Sequence, residues 1–397
     1  MTEKLKNLMD EVTGMVDQDF ATPDLDAIVR SGDRAVRRRR VLAGAAGVAA
    51  LAVIATGTLL AGGVGDDKAD VADDVFPTDV PLWAVGSTLH TPDHTYDLGV
   101  GVTTLVRTSE GIAFVGKDDA VYTFDGSRVD RIGSAVDTES SPLVGDPEGD
   151  WVGWISNDGD QRDFVARDVV SGTEVRDAVE LDPEAEKPLD AGLFLAIDGT
   201  TAYHLDARGT TRTDLSTGES AVVGEADHPT LIISAADGLV VTWIETRTGG
   251  DIGTDVVDAD GRVVLGHEGG RTVGALSPDG TWAADIEAAS VWEVGTGREV
   301  GLDAGNQGDA IGYEWLDDDS LMVLAEGSGD AIRLLQCEVP AGTCADVTEL
   351  DVSGEPLALP SYGLFAAMLV GGAATSTSAS EEASAVIPAP SSSTGAP

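Results

Sequence analysis

"SPDGTWAADIEAASVWEVGTG", residues 277–297, packs two turn signals, an apolar run and two Trp residues into one short stretch. Asp279-Gly280 and Thr296-Gly297 each mark a tight turn, because Gly accepts the positive φ that other residues resist. The segments between them are rich in Ala, Val and Trp and too short for a helix of ordinary length. They predict short strands.

The pattern recurs. Turns of one kind occur at "FDGS" (124), "VSGT" (170), "STGE" (216), "ADGR" (259), "GTGR" (295) and "AGTC" (341). Their glycines, at 126, 172, 218, 261, 297 and 342, lie 46, 46, 43, 36 and 45 residues apart. A second turn precedes most of them: "PEGD" at 147, "IDGT" at 197, "ADGL" at 236, "PDGT" at 278 and "DDDS" at 317. Two hairpins per period make four short antiparallel strands in a unit of about 40 to 45 residues, the length of a propeller blade. The prediction is an all-β, seven-bladed propeller, with six blades as the competing count.

Six units cover residues 104–350. "LWAVGSTLHTPDHTYDL" (82–98) adds two strands around Pro92-Asp93, and "LALPSYGLFAAMLVG" (357–371) one or two more. A seventh blade built from both chain ends would join first to last and remove exposed edges.

One unit carries a resemblance. Gly266-His267, Ser277-Pro278-Asp279-Gly280 and Val291-Trp292-Glu293, followed by Thr296-Gly297, resemble a WD40-type repeat, with Glu293 where that family has Asp. The "SPDG" form is similar to the PD40 repeats of bacterial TolB-like propellers. The resemblance implies a propeller over about residues 80–370, in which His267, Asp279, Gly280, Trp292 and Gly297 are structural. No catalytic residue carries over from it.

The chain has 397 residues and a formal charge of -46, and residues 1–40 hold equal numbers of each sign, so the whole excess lies beyond them. A field of that sign repels phosphate backbones, which excludes nucleic acid as a partner of the large acidic portion.

Arg37, Arg38, Arg39 and Arg40 precede 24 uncharged residues, 41–64. As a helix that segment is about 36 Å long, enough to cross a hydrocarbon core of about 30 Å. The Arg run on one flank, with Asp66 and Asp67 on the other, places the N-terminus in the cytoplasm and the acidic part outside. The alternative is an export signal, since "RRRRVL" partly resembles a twin-arginine motif and small residues offer a cleavage site.

The predicted organisation follows. Residues 1–40 are a cytoplasmic segment, partly helical, with Leu5, Leu8, Met9, Val12 and Val16 on one face to meet a partner or the bilayer surface. Residues 41–64 span the membrane and 65–80 form an acidic linker. The propeller occupies 81–371, and 372–397 is an Ala/Ser/Thr/Pro tail without the apolar content to fold.

Cys337 and Cys344 flank one turn on paired strands and predict a disulfide in an oxidising compartment. Asp158, Asp160 and Asp163 in "SNDGDQRD" are the best calcium candidates, followed by Asp255, Asp258 and Asp260, though neither run has a full EF-hand register. No other cofactor is expected. His90 and His94 flank a hairpin turn, which need not bring their rings together.

Nucleophile motifs are absent: there is no G-x-S-x-G, H-E-x-x-H, phosphate loop or dinucleotide fingerprint. The expected function is a non-catalytic binding module for a protein or cell-envelope ligand, anchored by one membrane span. The alternatives are a hydrolase or lyase using carboxylates in the central channel, with or without calcium, and a transmembrane signalling protein.

Overall fold

The computed structural model describes residue 76 and residues 79–360, apart from 137–142, 147–148, 158–160, 182–191, 227–228, 246–251, 268–270, 287, 306–309, 328–330 and 352–356. The predicted cytoplasmic segment, membrane span and tail lie outside these residues. Among the described residues no helix is long and apolar enough to cross a membrane.

Seven four-stranded antiparallel sheets make up the fold. Blade 1 runs from Val102–Thr108 to Val129–Ser134, blade 2 from Val144–Gly145 to Glu174–Ala178, and blade 3 from Leu193–Asp198 to Glu219–Glu225. Blade 4 spans Ile232–Ala236 to Val263–Leu265, blade 5 Val273–Leu276 to Arg298–Gly301, and blade 6 Ala310–Trp315 to Thr343–Asp351. The first strands of successive blades pack side by side and form the inner wall of the ring. They are buried almost throughout, as in "IISAA" at Ile232–Ala236 and "AIGYEW" at Ala310–Trp315. The predicted six-bladed alternative is thereby set aside.

Blade 7 is composite: Leu357–Ala358 supplies its inner strand, and Trp83–Val85, Thr88–His90 and Thr95–Asp97 complete it. The N-terminal piece gives three strands rather than the expected two, and among the described residues the C-terminal piece gives one, Leu357–Ala358, within the expected one or two. Gly86, at φ 59°, closes an extra two-residue turn between Val85 and Thr88, so "VGST" is a hairpin that the sequence reading passed over.

The six glycines that set the period all have φ between 68° and 95°, and each joins the third strand of its blade to the fourth. At Gly342 the need is steric as well, because a Cβ there would fall 2.4 Å from the carbonyl oxygen of Gly301 in the neighbouring blade. The short interval of 36 residues has a simple cause: each of the four strands of blade 5 has only four residues.

Between blades the filling is apolar. Trp83, Tyr313, Met322 and Leu357 pack blade 6 against blade 7, while Trp282, Ala284, Leu321 and Leu335 pack blade 5 against blade 6. Trp154 and Trp315 are almost fully buried and Trp151 and Trp292 only partly, which is the packing role that alternating strand positions suggest. Phe76, within the stretch read as linker, is itself buried against Tyr96 and Phe124.

Candidate functional site

An up-and-down meander puts its turns on two sides. The first-to-second and third-to-fourth connections of every blade share one side, here called the turn side. The second-to-third connections and the links between blades share the other, the loop side. Backbone hydrogen bonds confirm the grouping: on the turn side Val169 donates to Asp150 and Val294 to Thr281, and on the loop side Lys117 donates to Gly101 and Ala135 to Asp119.

At the centre stands a buried ion pair that the sequence reading missed. Arg107 on the inner strand of blade 1 donates through Nε to Glu314 Oε1 and through Nη2 to Oε2 at 3.4 Å, on the inner strand of blade 6. Their side chains are 5% and 0% exposed. The pair reaches past the short inner strand of blade 7 and ties together the blades on either side of it. Burial raises the Glu314 carboxyl above the ordinary Glu range, and the charge and hydrogen bond of Arg107 oppose the rise. Tyr313 beside it is buried, its hydroxyl has no partner, and its acidity is suppressed well below that of free phenol, chiefly by burial.

Of the described inner-strand residues, the only other carboxylate is Asp198, at the end of its strand, where it accepts from the amide of Gly238 at 2.8 Å. A glycosidase-type chemistry needs two free carboxyls about 5 to 9.5 Å apart across a substrate. Glu314 is held by a cation and Asp198 caps the next blade.

On the turn side most carboxylates serve the backbone. Asp125, Asp168 and Asp214 each accept from the amide two residues ahead, at 2.8, 3.0 and 2.9 Å. Asp279 accepts from Thr281 in the same way, at 2.9 Å, and also from Ser277 Oγ. These hydrogen bonds lower the Asp279 carboxyl despite the opposing effect of burial. Some carboxylates bind the adjacent blade: Asp150 accepts from Ser109, and Asp318 accepts from the amide of Asp279 at 3.1 Å. Burial and then the negative charges of Asp279, Asp317 and Asp319 raise Asp318.

The calcium candidates divide. Asp158 and Asp160 lie outside the described residues, and Asp163 is paired with Arg176 at 3.3 Å. In the second run Asp258 caps its hairpin by accepting from Asp260 and Arg262, and Asp255 is taken by His267. Among the described residues no three metal-ligating side chains converge.

The residues of the WD40-type resemblance do not form one group. Trp292 donates through Nε1 to Asp285 at 3.1 Å, and the Arg271 guanidinium lies 3.8 Å over its ring. Gly280 and Gly297 take positive φ in the two hairpin turns of blade 5. His267 belongs elsewhere: its amide and Nδ1 both contact Asp255 on the third strand of blade 4, at 2.9 and 2.8 Å. His90 stacks on Trp83 and His94 on Tyr96, two separate pairs.

A second network missed by the sequence reading joins blades 2 and 3 on the loop side. Arg208 donates to Asp206 of its own blade, whose carboxylate is fully buried, and to Asp177 of blade 2. Behind it His204 stacks on Phe164 with ring centres 4.0 Å apart, and its Nε2 lies 3.1 Å from Thr213 Oγ1. Burial drives the His204 imidazole down to about 4, against the pull of Asp177, so it is neutral at pH 7. The 3.5 Å approach to Asp177 is therefore not an ion pair at that pH.

Cys337 and Cys344 face each other across the third and fourth strands of blade 6 and form the disulfide. Cys337 is buried between blades 5 and 6.

The seven closed sheets define the chain as a seven-bladed β-propeller. No family model matches the sequence, and no curated protein does. Solved structures do match. The tricorn protease is 12% identical over 66% of this chain and 33% of its own, with a TM-score of 0.42. TolB from Acinetobacter baumannii is 11% identical over 66% and 76%, with a TM-score of 0.36. Oligogalacturonate lyase in complex with manganese is 14% identical over 50% and 62%, with a TM-score of 0.37. The chain spans only about a third of the tricorn chain, and these likenesses concern the fold alone.

Proposed function

We propose that this propeller is a WD40-like, TolB-type domain held outside the cytoplasm by one membrane span, where it works as a non-catalytic binding module for a protein or cell-envelope ligand. The carrying observation is at the ring centre: the one mid-strand carboxylate of the described inner wall is bound by Arg107, so it closes the ring rather than meeting a substrate. What is left to variation is the loops, the ordinary place for recognition on a rigid scaffold. The Cys337–Cys344 disulfide supports an oxidising compartment, and Arg37 to Arg40 against Asp66 and Asp67 support its side of the membrane.

The test uses the full-length chain in intact cells. Added protease should cut the acidic body without lysis, and cross-linking should capture an envelope component that is recovered unchanged and does not depend on added calcium. A ligand that wild type converts to product, while a folded Glu314→Gln variant binds it without turnover, would replace this reading with the channel-carboxylate one.

A further inference from the structure

On the loop side the seam between blades 2 and 3 is closed by bonds to a single turn. Arg208 donates to Asp177 and, at 3.0 Å, to the carbonyl of Ala178. The Ala207 amide donates to the Glu180 carbonyl at 3.0 Å, and the Glu180 amide donates to Asp206 at 2.9 Å. His204 lies beneath that turn, 1% exposed, and among the described residues no other histidine is buried.

The surroundings of its two ring nitrogens fix the tautomer. Nε2 faces Thr213 Oγ1 at 3.1 Å and Asp177 Oδ2 at 3.5 Å, so the hydrogen of the neutral ring belongs there, where a hydroxyl accepts it and a carboxylate favours it. Thr213 keeps a partner for its own hydrogen in Ser220 Oγ, at 2.9 Å. Nδ1 is buried without a hydrogen-bond partner, and the Thr211 hydroxyl, opposite it in register, is likewise unpartnered. A second proton must go to Nδ1, where the closed seam supplies no acceptor. The charged groups facing the ring are Asp177 of blade 2 and Asp206 and Arg208 of its own blade. Burial opposes the imidazolium most, Asp177 favours it, Arg208 opposes it and Asp206 favours it. Glu174 and Arg176 pair with each other on the opposite face of the Asp177 strand, and Phe164 and Phe194 against the ring are neutral.

We propose that this seam is an acid-sensitive latch: neutral His204 lets it close, and uptake of a proton at Nδ1 releases the Arg208 clasp while the rest of the ring stays folded. In the open seam the imidazole meets water and titrates at its ordinary 6.5, against about 4 when closed. Between those values the open form binds one more proton, so its population rises about tenfold for each pH unit of acidification. The latch depends on neither the membrane anchor nor a ligand.

Amide hydrogen exchange of the full chain in a neutral detergent, from pH 7.5 to 5 and corrected for the intrinsic pH dependence of exchange, tests it. Peptides spanning 174–181 and 203–211 should gain about 30-fold in opening, the one-proton expectation over that range, while 310–326 in blade 6 stays unchanged. In His204→Gln, which keeps a donor but does not titrate, the same peptides should show no rise. His204→Phe repeats the comparison should the Gln variant not fold. Flat exchange at the wild-type seam overturns the latch. So does an equal rise in 310–326, which reports unfolding of the whole ring, or a rise that persists without the imidazole.

Discussion

The two sides of the ring use the same residue type, aspartate, for different work. On the turn side Asp125, Asp168 and Asp214 bind backbone amides within their own hairpins, and Asp318 binds an amide of the adjacent blade. On the loop side Asp177 and Asp206 hold Arg208, and Asp255 holds His267. Turn carboxylates are local and solvated, so each is worth little and tolerates its neighbours' charge. The loop-side Asp206 and Asp255 and the central Glu314 are buried and each is paired with a basic side chain, because burial would otherwise penalise it. Part of the charge of -46 thus follows from how this fold makes its turns.

Removing a buried partner should have the largest effect. Arg107→Met leaves Glu314 buried and unpaired, and should destabilise by about 3 to 5 kcal/mol. The double variant Arg107→Met with Glu314→Leu should recover most of that loss. Chemical denaturation of the pair of variants measures both, and a single variant as stable as wild type would remove the distinction between centre and turns.

Acid should come next. His204 is neutral in the fold with its pKa lowered to about 4, against 6.5 when exposed, so the unfolded chain takes up the proton first. Its contribution is present above pH 6.5 and is lost as pH falls toward 4, a change on the order of 3 kcal/mol. As pH falls from 7 to 4, wild type should lose stability relative to His204→Phe, read as the difference in melting between them; parallel curves would count against a buried neutral imidazole.

Turn carboxylates should matter less. Asp214→Ala removes the acceptor for Ser216 and should cost about 1 kcal/mol by denaturation. The exposed pair Arg128–Asp130 should give a coupling below about 0.5 kcal/mol in a double-mutant cycle. A turn-side loss as large as that of Arg107→Met would mean the two sides are not different in kind.

How much was legible follows from distance along the chain. The hairpin turn at Thr296-Gly297 was readable because positive φ is decided within four residues. Cys337 and Cys344 were readable because one turn separates them. Arg107 and Glu314 are 207 residues apart, and nothing near either hints at the other. His267 sits beside Gly266 in a repeat-like string, yet its partner is Asp255 on the preceding blade, since the link between blades folds back on the blade it leaves. The hairpin at Gly86-Ser87 was missed because the strands it joins have only three residues each.

By itself the sequence determined the four-stranded unit, its spacing, the all-β class and the charge, because each rests on local turn chemistry, strand pattern and composition. Only the tertiary structure decided the shares of the composite blade, the Arg107–Glu314 clasp and the His204 environment. Those depend on closing a ring, which brings distant strands together and buries charges that a linear reading leaves in water.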